Sequence, residues 1–122
     1  MNTDDANDDN PARPPAGVRL CAVDELKDPG AKGFHFREDL RLFNGFVLRR
    51  GDTVTGFVDW CPHVGWPLDV YEQYVTRDGR HLLCSGHGAL FNFDGLCIAG
   101  PCEDDHLVPW PVEVRDGEVF TA

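Results

Sequence analysis

The chain has 122 residues and carries 21 acidic against 11 basic side chains, a formal net charge of −10 at pH 7. This length allows one domain and excludes a separate catalytic domain of several hundred residues. The acidic balance opposes a nucleic-acid partner, because binding to phosphates requires a basic face. No stretch approaches the roughly 18 apolar residues of a membrane span, and no basic segment precedes an apolar one near residue 1. We therefore expect a cytoplasmic protein with no membrane partner and with reduced cysteines.

Residues 1–16 differ in composition from the rest of the chain. They contain four Asp and three Pro but no aromatic residue, a composition typical of disordered segments. We therefore expect a disordered acidic tail over 1–16 and one folded domain over 17–122. Within that domain the negative charge is concentrated in residues 59–105, which hold eight acidic and two basic side chains.

Short apolar stretches bounded by Gly, Pro, Asn and Asp run through the folded part, a pattern that predicts strands joined by turns. No stretch has the periodicity of a helix of about ten residues or more, and Asp24 is placed to cap only a short helical turn. Asn44-Gly45 is a strong signal for a two-residue hairpin turn. The strands are predicted, in chain order, at residues 18–23, 40–43, 46–50, 53–58, 107–114 and 118–121. We therefore expect an all-β fold, a small sandwich or barrel.

Two Cys/His pairs stand in loops rich in glycine and proline. The first is Cys61-Pro62-His63 and the second is Cys84-Ser85-Gly86-His87. Thiolate and imidazole are metal ligands, and glycine allows the backbone turns by which several ligands converge. The pattern leaves two kinds of site open. One is a tetrahedral zinc site that uses all four side chains; the other is a two-iron cluster in which the cysteines hold one iron and the histidines the other.

The longer motifs Cys61–Leu68 and Cys84–Phe91, followed by Gly95 and Gly100-Pro101, resemble the Rieske [2Fe–2S] domain over residues 17–122. The resemblance implies a Rieske-type sandwich or barrel with an inserted cluster-binding subdomain of short strands and three loops, at about residues 59–105. It also implies one [2Fe–2S] cluster per chain, and Gly100-Pro101 matches the loop that covers it. The implied ligands are Cys61 and Cys84 on the inner iron, with His63 and His87 on the outer iron.

This implied ligand set predicts how easily the cluster is reduced. Two ferric ions, two sulfides, two thiolates and two neutral imidazoles form a neutral centre, whereas four thiolates leave two negative charges. Reduction of a neutral centre is easier, so histidine ligation raises the potential. In the respiratory members of the family, hydroxyl groups that donate to sulfur and a disulfide beside the cluster raise the potential further. The matching positions here carry neither feature, and this predicts the low-potential subclass. These positions are Trp66, Gly86, Ala89 and Phe91.

The low-potential subclass includes the ferredoxins of ring-hydroxylating dioxygenase systems, which these motifs resemble. An oxygenase would also need a mononuclear iron site in a domain for which this chain has no room. We expect no catalytic residue, but a soluble electron-transfer component of an oxidoreductase system that passes single electrons between a reductase and an oxygenase. Two alternatives remain open. One is a Rieske-like small subunit of a reductase such as nitrite reductase; the other is a redox sensor that uses Cys97 and Cys102.

Residues outside the motifs are expected to serve docking or packing. Acidic side chains near the loops are expected to steer basic docking faces on the reductase and oxygenase, namely Asp69, Glu72, Asp94, Glu103, Asp104 and Asp105. Trp66 is expected either to contact a partner or to pack against the loops. The core is expected to include Cys21, Trp60 and Trp110. Cys97 and Cys102 are expected to be structural thiols, and the solvent-facing histidines to be His35, His81 and His106.

Overall fold

The computed structural model describes residues 10–59, 74–84, 89–100 and 104–122. Within these ranges nine strands form three antiparallel sheets of three strands each, and the helical content is one 3-10 turn at Val23–Glu25. None of the described residues belongs to a helix that is long and apolar enough to cross a membrane. The prediction of an all-β fold is confirmed.

The strands differ in length between the three sheets. In chain order they are β1 (Arg19–Ala22), β2 (Gly30–Glu38), β3 (Arg41–Arg50), β4 (Thr53–Val58), β5 (Leu82–Cys84), β6 (Ala89–Phe91), β7 (Cys97–Ala99), β8 (Val112–Arg115) and β9 (Glu118–Thr121). The terminal sheet has the order β1-β9-β8, the central sheet β2-β3-β4 and the loop sheet β5-β6-β7. The three-residue strands of the loop sheet match the short strands expected in the inserted subdomain.

The central sheet separates two hydrophobic cores, because successive side chains of a strand point to opposite faces. On β3, Phe43 and Val47 lie in one core with Trp110. Phe46 and Leu48 lie in the other core, which includes Phe91 of the loop sheet. The loop sheet is therefore held on one face of the central sheet, and the prediction that Trp110 is a core residue is confirmed.

The hairpin predicted at Asn44-Gly45 is wrong. β3 continues through both residues, and the turn that joins it to β2 lies at Asp39-Leu40, where Asp39 has a φ of 53°. Gly45 meets a different requirement, since a Cβ there would lie 2.4 Å from Cε3 of Trp110. This glycine lets an aromatic ring approach the strand and does not turn the chain.

We expect Gly45→Ala to destabilise the fold by about 1–3 kcal/mol, the usual cost of adding volume to a filled core. Urea unfolding followed by tryptophan fluorescence measures the change. Gly51→Asn is the control, because a Cβ at Gly51 meets nothing within 4 Å and Asn tolerates the left-handed backbone found there. Equal stability of the two variants would show that Trp110 moves aside at no cost.

Residues 10–16 do not follow the prediction of a disordered tail. Nδ2 of Asn10 donates a hydrogen bond to the carbonyl of Leu42 at 2.8 Å, and Ala12 is buried in the core of Trp110. Amino-acid composition underestimates how ordered such a segment is, because a few contacts with a surface that is already folded are enough to order it. The ordered chain therefore reaches back at least to Asn10, while residues 1–9 lie outside the described ranges.

Two strand predictions also differ from the structure. β2 was not predicted, although Phe34 and Phe36 alternate along it and face the core of Trp110. The strand predicted over 107–114 is confined to β8, and the residues before β8 make separate hydrogen bonds, such as Trp110 N to the Gly56 carbonyl at 2.9 Å. The two prolines flanking Trp110 explain the interruption, since proline offers no N–H to a ladder.

Candidate metal centre

The loop sheet forms a meander that continues on both sides beyond its named strands. On one side Leu83 N donates to the Tyr74 carbonyl at 2.8 Å, and on the other Cys97 N donates to the Asp105 carbonyl at 2.8 Å. Neighbouring segments run antiparallel, so chain connections alternate between the two ends of the sheet. Four described residues that border positions 60–73, 85–88 and 101–103 therefore lie at one end, which we name the loop end: Tyr74, Cys84, Ala89 and Gly100.

Cys84 is the one proposed ligand within the described ranges. It ends β5 at the loop end, and Ala89 lies opposite it as the first residue of β6. Positions 85–88, which include His87, thus join two paired strand ends. The described residues contain no group of three His, Cys, Asp or Glu side chains that could hold a metal. The other proposed ligands, Cys61, His63 and His87, lie outside the described ranges, as do Trp60, Trp66 and Cys102.

Gly100 brings the third predicted loop against the second. Its φ is 99°, and a Cβ built on it would lie 2.9 Å from the Cα of Ala89. Glycine is therefore required both by the left-handed backbone and by the close approach. The chain that leads to Pro101, itself outside the described ranges, therefore starts close to Ala89, the first residue of β6.

Asp59 and Tyr74 bracket the segment that contains Cys61 and His63. Asp59 is 1% exposed, and its Oδ2 accepts a hydrogen bond from the Tyr74 hydroxyl at 2.7 Å. Neither residue was predicted to be functional from the sequence. A usable signal was present, since the end of an apolar strand, two positions before a proposed ligand, is an unusual place for an acidic residue.

Ala89 and Phe91, two of the four positions that predict a low potential, are both fully buried in the core beneath the loop sheet. Neither side chain has a hydroxyl group that could donate to sulfur. Their burial shows that these positions serve packing of the loop sheet against the central sheet.

The acidic residues assigned to docking lie at different places on the loop sheet. Asp104 and Asp105 are exposed and directly follow positions 101–103, and both pair with Cys97 at the start of β7. Asp94 lies in the turn between β6 and β7, and its Oδ1 is 4.0 Å from Nη2 of Arg50. That turn is at the end of the loop sheet away from Cys84 and Ala89, and the docking role of each acid stays a prediction. Asp69, Glu72 and Glu103 lie outside the described ranges.

Two of the cysteines outside the ligand motifs are buried thiols. Cys21 is 0% and Cys97 1% exposed, so the expected core position of Cys21 is confirmed. Burial raises the pKa of the Cys21 thiol, and Cys97 Sγ donates to the Ala99 carbonyl at 3.4 Å. Redox-sensing thiols need access and thiolate character, so this burial opposes the redox-sensor alternative. The histidines outside the motifs are exposed or half-buried: His35, His81 and His106.

Comparisons with known proteins agree with this arrangement. A family model described as the Rieske [2Fe–2S] domain matches residues 17–114. A chain from the complex of reduced oxygenase and oxidized ferredoxin in carbazole 1,9a-dioxygenase is 28% identical with a TM-score of 0.68, covering 86% of this chain and 100% of that chain. The ferredoxin of carbazole 1,9a-dioxygenase from Nocardioides aromaticivorans IC177 is 25% identical with a TM-score of 0.67, covering 86% and 95%. Sphingomonas yanoikuyae B1 ferredoxin is 25% identical with a TM-score of 0.62, covering 85% and 95%. No curated protein matches this chain.

Proposed function

Because the chain belongs to the Rieske [2Fe–2S] family, we propose that it is a low-potential ferredoxin that passes single electrons from a reductase to an oxygenase. The observation that carries the proposal is the likeness to two ferredoxins over 95% of each of their chains. The arrangement at the loop end supports it, because at least one described neighbour of each of the three segments 60–73, 85–88 and 101–103 lies there. As a component of an oxidoreductase system, the protein would work in the cytoplasm.

The proposed site uses the two sequence motifs. Cys61 and Cys84 would bind the inner iron, and His63 and His87 the outer iron, in a cluster-binding part at about 59–105 of a domain over 17–122. The donor set suits the cluster, since two thiolates and two imidazoles are the Rieske ligands. When bound, the [2Fe–2S] cluster supplies reversible one-electron transfer. The loop sheet would hold these loops at one end, where a partner can approach.

Metal analysis tests the proposed function directly. The purified protein should contain equal amounts of iron and acid-labile sulfide, two of each per chain, as the cluster requires. The reduced form should give an EPR signal whose mean g value is low, as mixed cysteine and histidine ligation produces. A colourless protein with one zinc ion per chain would instead establish the tetrahedral zinc site and refute electron transfer.

Asp104 and Asp105, the exposed acids that directly follow positions 101–103, predict salt-sensitive docking. We expect Asp104→Asn/Asp105→Asn to slow oxidation of the reduced protein by cytochrome c, a basic acceptor, by roughly two- to threefold at low salt. The difference should vanish at high salt, because added ions screen exposed charges. Stopped-flow absorbance measures the rate.

Asp94→Asn is the comparison, since it removes one charge of the same kind in the turn at the end of the loop sheet away from Cys84, and it should leave the rate nearly unchanged. Asparagine also suits the positive φ of 75° at Asp104. An equal effect per charge removed would mean that total charge, and not the position of the acids, steers docking.

A further inference from the structure

Tyr74 is hydrogen-bonded to the residues that lead into both of the motifs with the proposed cysteine ligands. Its hydroxyl donates to Oδ2 of Asp59 at 2.7 Å, and Asp59 lies two positions before Cys61. Its carbonyl accepts a hydrogen bond from Leu83 N at 2.8 Å, and Leu83 directly precedes Cys84. One residue therefore connects the stems of both motifs, where "stem" denotes the described residues that lead into each motif.

The link is anchored to the central sheet as well as to the loop sheet. The Tyr74 ring stacks on that of Phe46, with centroids 4.6 Å apart and planes 29° apart. Asp59 N donates to the Asn44 carbonyl at 2.8 Å. Both anchors belong to β3, so the two stems share one rigid support.

Burial makes the hydroxyl–carboxyl bond strong. Asp59 is 1% and Tyr74 8% exposed, so water does not replace the bond without opening the stems. Hydrogen bonds are stronger in such a low-dielectric setting, so breaking one there costs more than at the surface. Packing alone does not account for this polar pair, because two apolar side chains would fill the same space without the cost of burying polar groups.

We propose that Tyr74 is a positioning residue for the metal centre, which sets the distance between the stems of Cys61 and Cys84 through its bonds to Asp59 and Leu83. The inference rests on the proposed ligand set, in which the two thiolates bind the same iron. Two thiolates serve one iron only while their stems stay close, so the link matters most for retention of the metal and for the geometry of its sulfur ligands.

Tyr74→Phe in the holoprotein tests this role, because it removes the hydroxyl and keeps the ring on Phe46. We expect the variant to lose its visible absorbance roughly tenfold faster than the unaltered protein under excess iron chelator, the effect of one buried hydrogen bond. We also expect altered g values in the EPR spectrum of the reduced form, because the thiolates are held differently. Asp59→Ala, which removes the acceptor, should show the same loss.

Two further variants separate positioning from other effects. Asp59→Asn keeps an oxygen that accepts the tyrosine proton, so it should retain the cluster nearly as long as the unaltered protein. Thr121→Val is the control for general destabilisation, since Thr121 makes a distant hydrogen bond to the Pro15 carbonyl at 2.6 Å. It should lower the melting temperature without speeding loss of absorbance at 25 °C or changing the g values.

Each remaining outcome overturns the inference in a recognisable way. If Tyr74→Phe retains the cluster and its g values, Tyr74 is ordinary packing and the electron-carrier function still stands. If Asp59→Asn loses the cluster as fast as Tyr74→Phe, the charge and not the hydrogen bond is responsible. If the unaltered protein binds no iron–sulfur cluster, the ligand set itself is wrong, and this inference fails with the proposed function.

Discussion

Replacement of Cys84 by Ala is expected to abolish cluster assembly, with iron and labile sulfide falling from two per chain to nearly none. Cys84 ends β5 at the loop end, and the substitution removes one of the two proposed thiolates. The three remaining ligands cannot complete the coordination of the iron that Cys84 would bind. Iron and sulfide assays, together with visible absorbance, measure the loss.

Cys21→Ala is the matched control for this experiment. Cys21 is a buried thiol in the core of Trp110, remote in topology from the loop sheet. Its removal should cost stability as a small cavity does, yet leave two irons per chain. A Cys84→Ala protein with its full iron content would show that this residue is not a ligand.

Replacement of His87 by Cys is expected to lower the reduction potential by on the order of 100 mV or more, provided that a cluster assembles. The change exchanges a neutral imidazole for a thiolate, and the added negative charge opposes the arrival of an electron. A redox titration followed by EPR measures the potential.

His35→Cys provides the comparison for that change. His35 is exposed on β2, where its Nδ1 lies 2.7 Å from Oδ1 of Asn44, so a cysteine there should leave the potential unaltered. An unchanged or higher potential in His87→Cys would show that the histidine assignment is mistaken. The same comparison applies to His63→Cys, which should act in the same direction.

The docking and positioning predictions depend on features that motifs do not contain. Asp94 and Asp104 look alike in the sequence, each a charged residue near a glycine turn or loop. The antiparallel order of β6 and β7 places Asp94 in the turn away from Cys84, whereas Asp104 pairs with Cys97 directly after positions 101–103. Where each acid lies is therefore decided by strand pairing.

Gly45 illustrates how local rules fail when tertiary packing competes with them. Asn-Gly favours a two-residue turn in isolation, but the Trp110 ring occupies the space where a Cβ would stand, and β3 pairs with strands on both sides. The long-range contact of an aromatic ring outweighs a turn preference. Asn10 and Ala12 make the same point, because their order comes from contacts with β3 and its core and not from composition.

The sequence by itself determined the family, the all-β class and the chemistry of the proposed donor set. These follow from local information, since the spacing of Cys and His within each motif and the strand and turn patterns lie within short segments. Only the tertiary structure decided that Tyr74, Cys84, Ala89 and Gly100 lie at one end of the loop sheet, that Asp94 lies at the other end, and that Tyr74 joins the two stems. Those facts depend on strand pairing and burial between residues distant in the chain, which no local pattern specifies.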